Sequence, residues 1–207
     1  GPNKFAIETF VDEIALEQKK DPYQLRRELM KNHPRELAVL DKVADMAKWG
    51  SPVPEGRARG IAFAERSGSL AAGVCEISLD RSTGKIKVHK IWGSLDGGVV
   101  VHPANAKYQM EGSLVMGLSS VLFESITFKE GQVEQSNFYD YPILRMEDAP
   151  EEIILEIIPS SEKPTGIGEA GLPFMGAIIS NAFAALTGKR LRHMPFTPEK
   201  VLEILAS

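Results

Sequence analysis

Apolar residues recur at helical spacing over the first part of the chain and alternate with polar residues from about residue 60 onward. The first stretch, FAIETFVDEIALEQKK, places Phe5, Phe10 and Ile14 on one side of a predicted helix. The basic pair Lys19-Lys20 suits the C-terminal end of that helix, because cations are favoured at the negative end of the helix dipole. The chain therefore begins with a predicted helix.

Two further helices are predicted before residue 50. Asp21 can cap the segment PYQLRRELMKN, whose first residue is a proline that suits the first helical position. Pro34 opens PRELAVLDKVADMAKWG in the same way, and Gly50 is typical of a helix end. The next segment, SPVPEGRARG over 51–60, is rich in proline and glycine, and we expect an extended linker there.

From Gly60 the pattern has a period of two, which predicts strands. The segments GIAFAERSGS, LAAGVCEISLD and KIKVHKIWGSLD are predicted as three strands, the last two joined by a turn over 80–84. A long helix rich in small residues follows, ending near Ser125, and ITFKEGQVEQ predicts a hairpin that turns at Gly131. The segment 136–150 is predicted as an ordered loop, and EEIILEIIPSSE as a strand.

The C-terminal part returns to helical periodicity. GAIISNAFAALTGKRLRHMP predicts a helix closed by Gly188, and TPEKVLEILA predicts a short capped helix. Together these elements predict an α+β fold in which a helical segment over 1–50 precedes a mixed sheet with packed helices over 51–207.

The composition excludes several classes of function but identifies none. The 207 residues are 43% hydrophobic and 25% charged with a net charge of −4, values typical of a globular protein. The chain has no basic run, so we expect no nucleic-acid partner. Its apolar stretches are too short for a membrane span. One cysteine and four scattered histidines do not form a metal-ligand pattern, so we expect no protein-ligated metal, and Cys75 is predicted to be buried.

The segment KPTGIGEAGLP raises the question of what Glu169 does among three glycines. Glycine allows a ligand or another backbone to approach closely, and a carboxylate shielded by apolar walls could serve as a general acid or base. From composition alone, a solvated glutamate that precedes a helix near Pro173 is the commoner case. A small hydrolase centred on Glu169 would lack a convincing second carboxylate or nucleophile.

Two other segments contain candidate ligand-binding residues. Gln109, in YQMEGS, has an amide that can both donate to and accept from a polar ring edge, although an exposed helical glutamine is commoner. The aromatic residues of SNFYDYP could line a pocket, but on the residues alone we favour a role in holding a loop over the core.

Taken in order, these segments resemble one family. The stretch from LDGGVVVHPANAKYQMEGS to FYDYPILRMEDAP, then PTGIGEAGLPFMGAIISNAF, is similar to the C-terminal part of the molybdenum-binding subunit of the xanthine dehydrogenase/aldehyde oxidase family. The nearest type is the isoquinoline 1-oxidoreductase β-subunit, and the resemblance extends over the whole chain.

The resemblance implies roles for particular residues. Glu169 would be the base that activates a molybdenum-bound hydroxyl for attack on an aldehyde or N-heterocycle. The residues implied to contact the pterin are Gln109, Thr165, Gly166, Ile167 and Gly168. The cofactor would be molybdopterin with molybdenum, in the cytosine dinucleotide form. The stretch Asp96-Gly97-Gly98 departs from the family's usual Asp-Cys-Gly, and His102-Pro103 from its Asn-Pro.

The resemblance also implies partners. The family subunit is several times longer than this chain, so activity would require the remaining part of the molybdenum-binding subunit, together with an iron–sulfur subunit that removes electrons. Either the cytoplasm or the periplasm would suit such an assembly. The alternative is a non-catalytic structural or assembly module that binds partner chains only. In either case we expect a large exposed apolar surface where a partner would dock.

Overall fold

The computed structural model describes all 207 residues. The helices, in chain order, are α1 (Pro2–Glu17), α2 (Pro22–Leu29), α3 (Pro34–Met46), α4 (Pro103–Leu122), α5 (Met175–Thr187) and α6 (Pro198–Ala206). The strands are β1 (Arg57–Arg66), β2 (Ser69–Leu79), β3 (Ile86–Asp96), β4 (Phe128–Lys129), β5 (Gln132–Val133) and β6 (Glu152–Ile157). Short 3₁₀ turns occupy Met146–Asp148 and Leu172–Phe174.

Four strands form a mixed sheet in the order β1-β2-β3-β6. The three strands predicted from the alternating segments pair as antiparallel neighbours, and β6 joins β3 in parallel. A parallel neighbour needs a long crossover, and α4 with the segment that follows it supplies that connection. The predicted α+β fold is confirmed.

Each face of the sheet carries its own apolar core. Neighbouring residues of one strand belong to opposite cores, as the two-residue period requires: Val74 packs toward α3, whereas Cys75 packs toward α4 and α5. Cys75 is fully buried as predicted, and burial raises the pKa of its thiol. The sheet therefore lies between helices, with α3 on one face and α4 and α5 on the other.

Helix α1 does not bury the side that its apolar residues indicate. Phe5 is buried, but Phe10 is 62% exposed, while Glu8 and Asp12 are both buried. The reason is an ion cluster: Arg26 Nε donates to Glu8 at 2.8 Å, and Arg190 Nη2 donates to Asp12 at 2.7 Å. Arginines from two distant segments thus turn the acidic side of α1 inward. The predicted helix is confirmed, but its apolar residues do not all lie on the buried side.

Two local predictions also need correction. The predicted linker 51–60 becomes strand β1 from Arg57, because the buried Glu76 on β2 binds both Arg57 and Arg59 across the two strands. Phe138 and Tyr139 do not hold their loop over the core, since they are 70% and 83% exposed.

The helical segment and the sheet share a core, since α3 packs directly on β2 and β3. A division of the chain at residue 50 stays a prediction. Several large apolar side chains are exposed on the outer side of α4 and along the segment 126–146 that follows it. They are Tyr108, Met116, Ile126, Phe128, Val133, Phe138, Tyr139 and Met146. None of the helices combines the length and apolar character needed to cross a bilayer.

Candidate functional site

The segment that carries Glu169 connects β6 to α5 and contains no helix or strand until Leu172. It follows the backbone of the segment after β3, because the Thr165 N–H donates to the Gly97 carbonyl at 2.9 Å. Gly98 allows this approach: its φ is +72°, and a Cβ there would lie 2.1 Å from the Lys163 carbonyl oxygen. The loop is therefore held close to residues 97–99 from its first residues.

The turn between β1 and β2 holds the loop at two points. The fully buried Ser69 places its Oγ 2.7 Å from Thr165 Oγ1 and donates to the Gly166 carbonyl at 2.9 Å. Arg66, the last residue of β1, donates from Nε to Glu169 Oε1 at 2.8 Å, and its Nη2 donates to the same oxygen. These contacts bring together residues that lie about a hundred positions apart in the chain.

Helix α4 holds the loop from another side. Gln109 Nε2 donates to the Gly168 carbonyl at 2.6 Å, and the Gly171 N–H donates to Ser113 Oγ at 3.0 Å. Gly171 is needed for this packing, since a Cβ there would lie 2.6 Å from Ser113 Oγ. Gly168, in contrast, faces open space, because a Cβ at this position would meet no atom within 4 Å.

A cleft of about 380 Å³ lies between the segment after β3 and the loop. It is lined by Gly97, Val99, Val100, Val101, His102, Asn105, Ala106, Gln109, Pro164, Thr165 and Ile167. Three residues singled out by the sequence, Gln109, Thr165 and Ile167, therefore lie in one cleft. The backbone N–H groups of residues 166–170 donate to no protein acceptor, and Ile167 is the one among these residues that lines the cleft. The loop thus carries a run of backbone donors that no protein group satisfies.

Glu169 does not line this cleft and is not shielded by apolar walls. Its side chain is 52% exposed, and its carboxylate is engaged by Arg66, itself 54% exposed. An ion pair between exposed side chains is worth little because water screens it, so Arg66 can release the carboxylate at small cost. The expected shielding is not provided by the residues of this chain.

Asp96 fixes the start of the cleft. Burial alone would raise the pKa of Asp96, but hydrogen bonds from Arg35 and from the Gly98 N–H outweigh burial and lower it. Arg35 Nε donates at 2.8 Å and the Gly98 N–H at 2.9 Å, so the carboxylate spans α3 and the Gly97-Gly98 turn. The ionised Asp96 carboxylate therefore helps to fix the Gly97-Gly98 segment, which forms one wall of the cleft.

Sequence reasoning missed Arg66 and Ser69, whereas Ser113 belongs to the small residues of α4 that indicated close approach by another helix or a ligand. Each contacts the loop from at least 58 positions away in the chain. Arg66 and Ser69 flank a β-turn, and Ser113 is one of several small residues on a helix. The small-residue pattern of α4 was the one usable signal, because it indicated close approach by another segment.

The chain is similar to known proteins over most of its length. Residues 30–150 match the model of a family described as molybdopterin cofactor-binding domain. The chain is 37% identical over 198 residues to the isoquinoline 1-oxidoreductase subunit beta of Brevundimonas diminuta, a match that covers 94% of this chain and 25% of that relative. It is also 37% identical over 221 residues to the membrane-bound aldehyde dehydrogenase [pyrroloquinoline-quinone] of Gluconacetobacter polyoxogenes, covering 98% of this chain and 28% of the relative.

The fold also matches a solved structure. Quinoline 2-oxidoreductase from Pseudomonas putida 86 superposes with a TM-score of 0.62 at 20% identity, over 67% of this chain and 19% of the other. At that identity the likeness shows the fold alone. The chain spans about a quarter of the length of the two curated relatives.

Proposed function

The chain belongs to the molybdopterin cofactor-binding family, and on this premise we propose that it forms part of a molybdenum hydroxylase. The enzyme would oxidise an aldehyde or an N-heterocycle with oxygen derived from water. The observation that carries the proposal is that Gln109 and the loop 163–171, which Ser69 at the start of β2 holds in place, meet at one cleft. The names of the relatives, which include an isoquinoline oxidoreductase and an aldehyde dehydrogenase, support this substrate class.

The residues around the cleft fit one wall of a pterin site. A pterin presents a flat edge of donors and acceptors, and the loop offers free N–H groups beside the Gln109 amide. Gly168 leaves open space where a side chain would otherwise obstruct a ligand. The residues that would hold the cofactor are Gln109, Thr165, Gly166, Ile167 and Gly168.

When bound, the molybdenum–pterin group supplies a centre that accepts two electrons from the substrate. We infer that the pterin is the cytosine dinucleotide form. The remaining part of the molybdenum-binding subunit would cover the open side of the cleft, and an iron–sulfur subunit would remove the electrons. The curated relative named as a subunit beta is consistent with an assembly of several chains.

Glu169 would act as the base. Its carboxylate would accept a proton at an Oε atom as water-derived oxygen is transferred to the substrate. The Arg66 contact orients the carboxylate in the chain described here and would have to loosen for that proton to be taken up. Burial by a partner chain would supply the apolar walls that this chain does not provide.

The test compares Glu169→Gln with Glu162→Gln, a change at another exposed glutamate of the same connection. Both variants are purified with their natural partners and assayed for molybdenum, pterin and turnover of aldehydes and N-heterocycles. We expect Glu169→Gln to keep the molybdenum and to lose roughly 10²–10⁴-fold in turnover. Glu162→Gln should retain both. Full turnover in Glu169→Gln would refute the assignment of the base.

The second candidate is a structural or assembly module that binds partner chains only. The exposure of Glu169 and of the apolar side chains on 126–146 favours it, because an isolated wall cannot enclose a cofactor. Cofactor analysis of the native complex distinguishes the hydroxylase from the structural module. Molybdenum with a pterin supports the hydroxylase, whereas a complex without either supports the module. Pyrroloquinoline quinone, which appears in the name of the Gluconacetobacter polyoxogenes relative, is measured in the same sample.

A further inference from the structure

Three polar side chains outside the cleft form a connected Ser–His–Glu arrangement. Ser78 Oγ lies 2.8 Å from His89 Nε2, and His89 Nδ1 lies 3.1 Å from Glu151 Oε1. Ser78 is near the end of β2, His89 is in β3, and Glu151 immediately precedes β6. These are the two contacts that define a nucleophile, a base and a group that orients the base.

An irregularity in the sheet brings His89 into this position. The register between β2 and β3 shifts so that Glu76 faces Lys90 and Ile77 faces Val88, which leaves His89 as an extra residue. Such a bulge redirects a side chain, and bulges are common next to active sites. The Glu151 N–H donates to the His89 carbonyl at 2.9 Å, so the backbone also fixes the third member.

The hydrogen bonds fix the direction of proton transfer. An ionised carboxylate can only accept, so in the neutral imidazole Nδ1 carries the hydrogen that Glu151 binds. Nε2 then has a free lone pair, and the Ser78 hydroxyl donates to it. This is the tautomer in which a histidine can remove a serine proton, and the imidazolium that forms is stabilised by the carboxylate. The His89 ring is almost completely buried, which keeps it in one orientation.

Ser78 also borders a cleft near the end of the β2–β3 hairpin. This cleft has a volume of about 400 Å³, and its other lining residues include the apolar Ile86, Leu122 and Phe123 and the charged Asp80, Lys85, Glu147 and Asp148. Lys87 lines the same cleft and is the cross-strand partner of Ser78, so the two side chains are neighbours on one face of the sheet. Its ammonium group lies 3.0 Å from Glu151 Oε1, the same oxygen that His89 Nδ1 contacts, so it adds to the charge that holds this carboxylate in place.

We propose that Ser78, His89 and Glu151 are a hydrolytic triad that acts on small carboxylic esters, independently of the molybdenum chemistry. Ser78 Oγ bonds to the ester carbonyl carbon as its proton passes to His89 Nε2. The carbon–oxygen bond to the alcohol breaks, and the alcohol leaves with that proton. Water then cleaves the acyl-serine ester, releasing the acid and returning a proton to Ser78 Oγ. One water is consumed, and no group is oxidised or reduced.

The test uses the full chain without an electron acceptor. Hydrolysis of p-nitrophenyl acetate and labelling by a fluorophosphonate are measured for the unaltered chain, Ser78→Ala, His89→Gln and Ser82→Ala. Ser82 is an exposed serine in the turn after β2 and serves as the matched control. We expect one phosphonyl group, mapped to Ser78 by peptide mass spectrometry. Hydrolysis should fall by about 10²-fold or more in Ser78→Ala and His89→Gln and stay unchanged in Ser82→Ala.

Two results would overturn the proposal. One is an unaltered chain that is neither labelled at Ser78 nor faster than free imidazole at hydrolysing the ester. The other is equal hydrolysis by the unaltered chain and Ser78→Ala, both folded by circular dichroism. Ser78→Cys provides a second readout, because a thiol activated by His89 should react with iodoacetamide faster than free cysteine does. A thiol no faster than free cysteine would also contradict the assignment of His89 as the base.

Discussion

Replacing Gly171 by alanine should displace the loop that carries Glu169. The added Cβ would lie 2.6 Å from Ser113 Oγ and 2.8 Å from Leu114 Cδ2, distances that the packed side of α4 cannot tolerate without movement. Overpacking of this kind costs about 1–3 kcal/mol, and the hydrogen bond from the Gly171 N–H to Ser113 would also weaken. For a chain of this size, each kcal/mol lowers the melting temperature by about 2–4 °C.

The matched control is Gly168→Ala in the same loop. A Cβ at Gly168 meets no atom within 4 Å, and its φ is not in the left-handed region, so its effect should stay within about 0.5 kcal/mol. Both variants are compared with the unaltered chain by urea unfolding followed by circular dichroism. In the native complex, Gly168→Ala should reduce pterin content although the chain remains stable. Equal stabilities for the two variants would refute the packing argument.

Three further predictions address the scaffold. Arg26→Met leaves Glu8 and Asp12 buried beside one fewer cation, and urea unfolding should show a loss of about 3–5 kcal/mol. Phe5→Ala should lower the free energy of unfolding by about 3–5 kcal/mol, whereas Phe10→Ala should leave it nearly unchanged. A larger loss for Phe10→Ala than for Phe5→Ala would mean that α1 buries its other side. Folding lowers the pKa of Asp96, so ionised Asp96 stabilises the folded chain. This contribution to the free energy of unfolding is complete above the unfolded pKa of about 3.9 and is lost as the pH falls through the folded pKa. Asp96→Asn should therefore flatten the acid limb of the stability curve below about pH 4.

Local signals predicted much of the fold. Asp21 accepts hydrogen bonds from the first amides of α2, and Gly188 ends α5 with a φ of +75°, as the residue types indicated. The alternating segments predicted three strands, and the structure pairs them in sequence order. These features depend on residues close together in the chain, where a capping group, a turn residue or a period leaves a visible pattern.

Contacts between distant segments could not be predicted in the same way. The side of α1 that is buried depends on Arg26 and Arg190, which bind its acids from other helices and loops. Arg66 meets Glu169 across 103 positions, and no period in either segment indicates the other. The roles of Glu169 and Gln109 came from a resemblance to a family, and they stay predictions.

The ion cluster under α1 has a consequence for synthesis on the ribosome. Asp12 is translated 178 residues before Arg190, the cation that binds it at 2.7 Å, and Glu8 precedes its contact at Asn181 by 173. At about 5–20 residues per second, that interval lasts about 10–40 s. During that time α1 has no completed binding site, because the helix that receives it has not yet emerged. Docking of the N-terminal helix is therefore a late step of folding at the ribosome exit, although α1 is the first of these elements to be made.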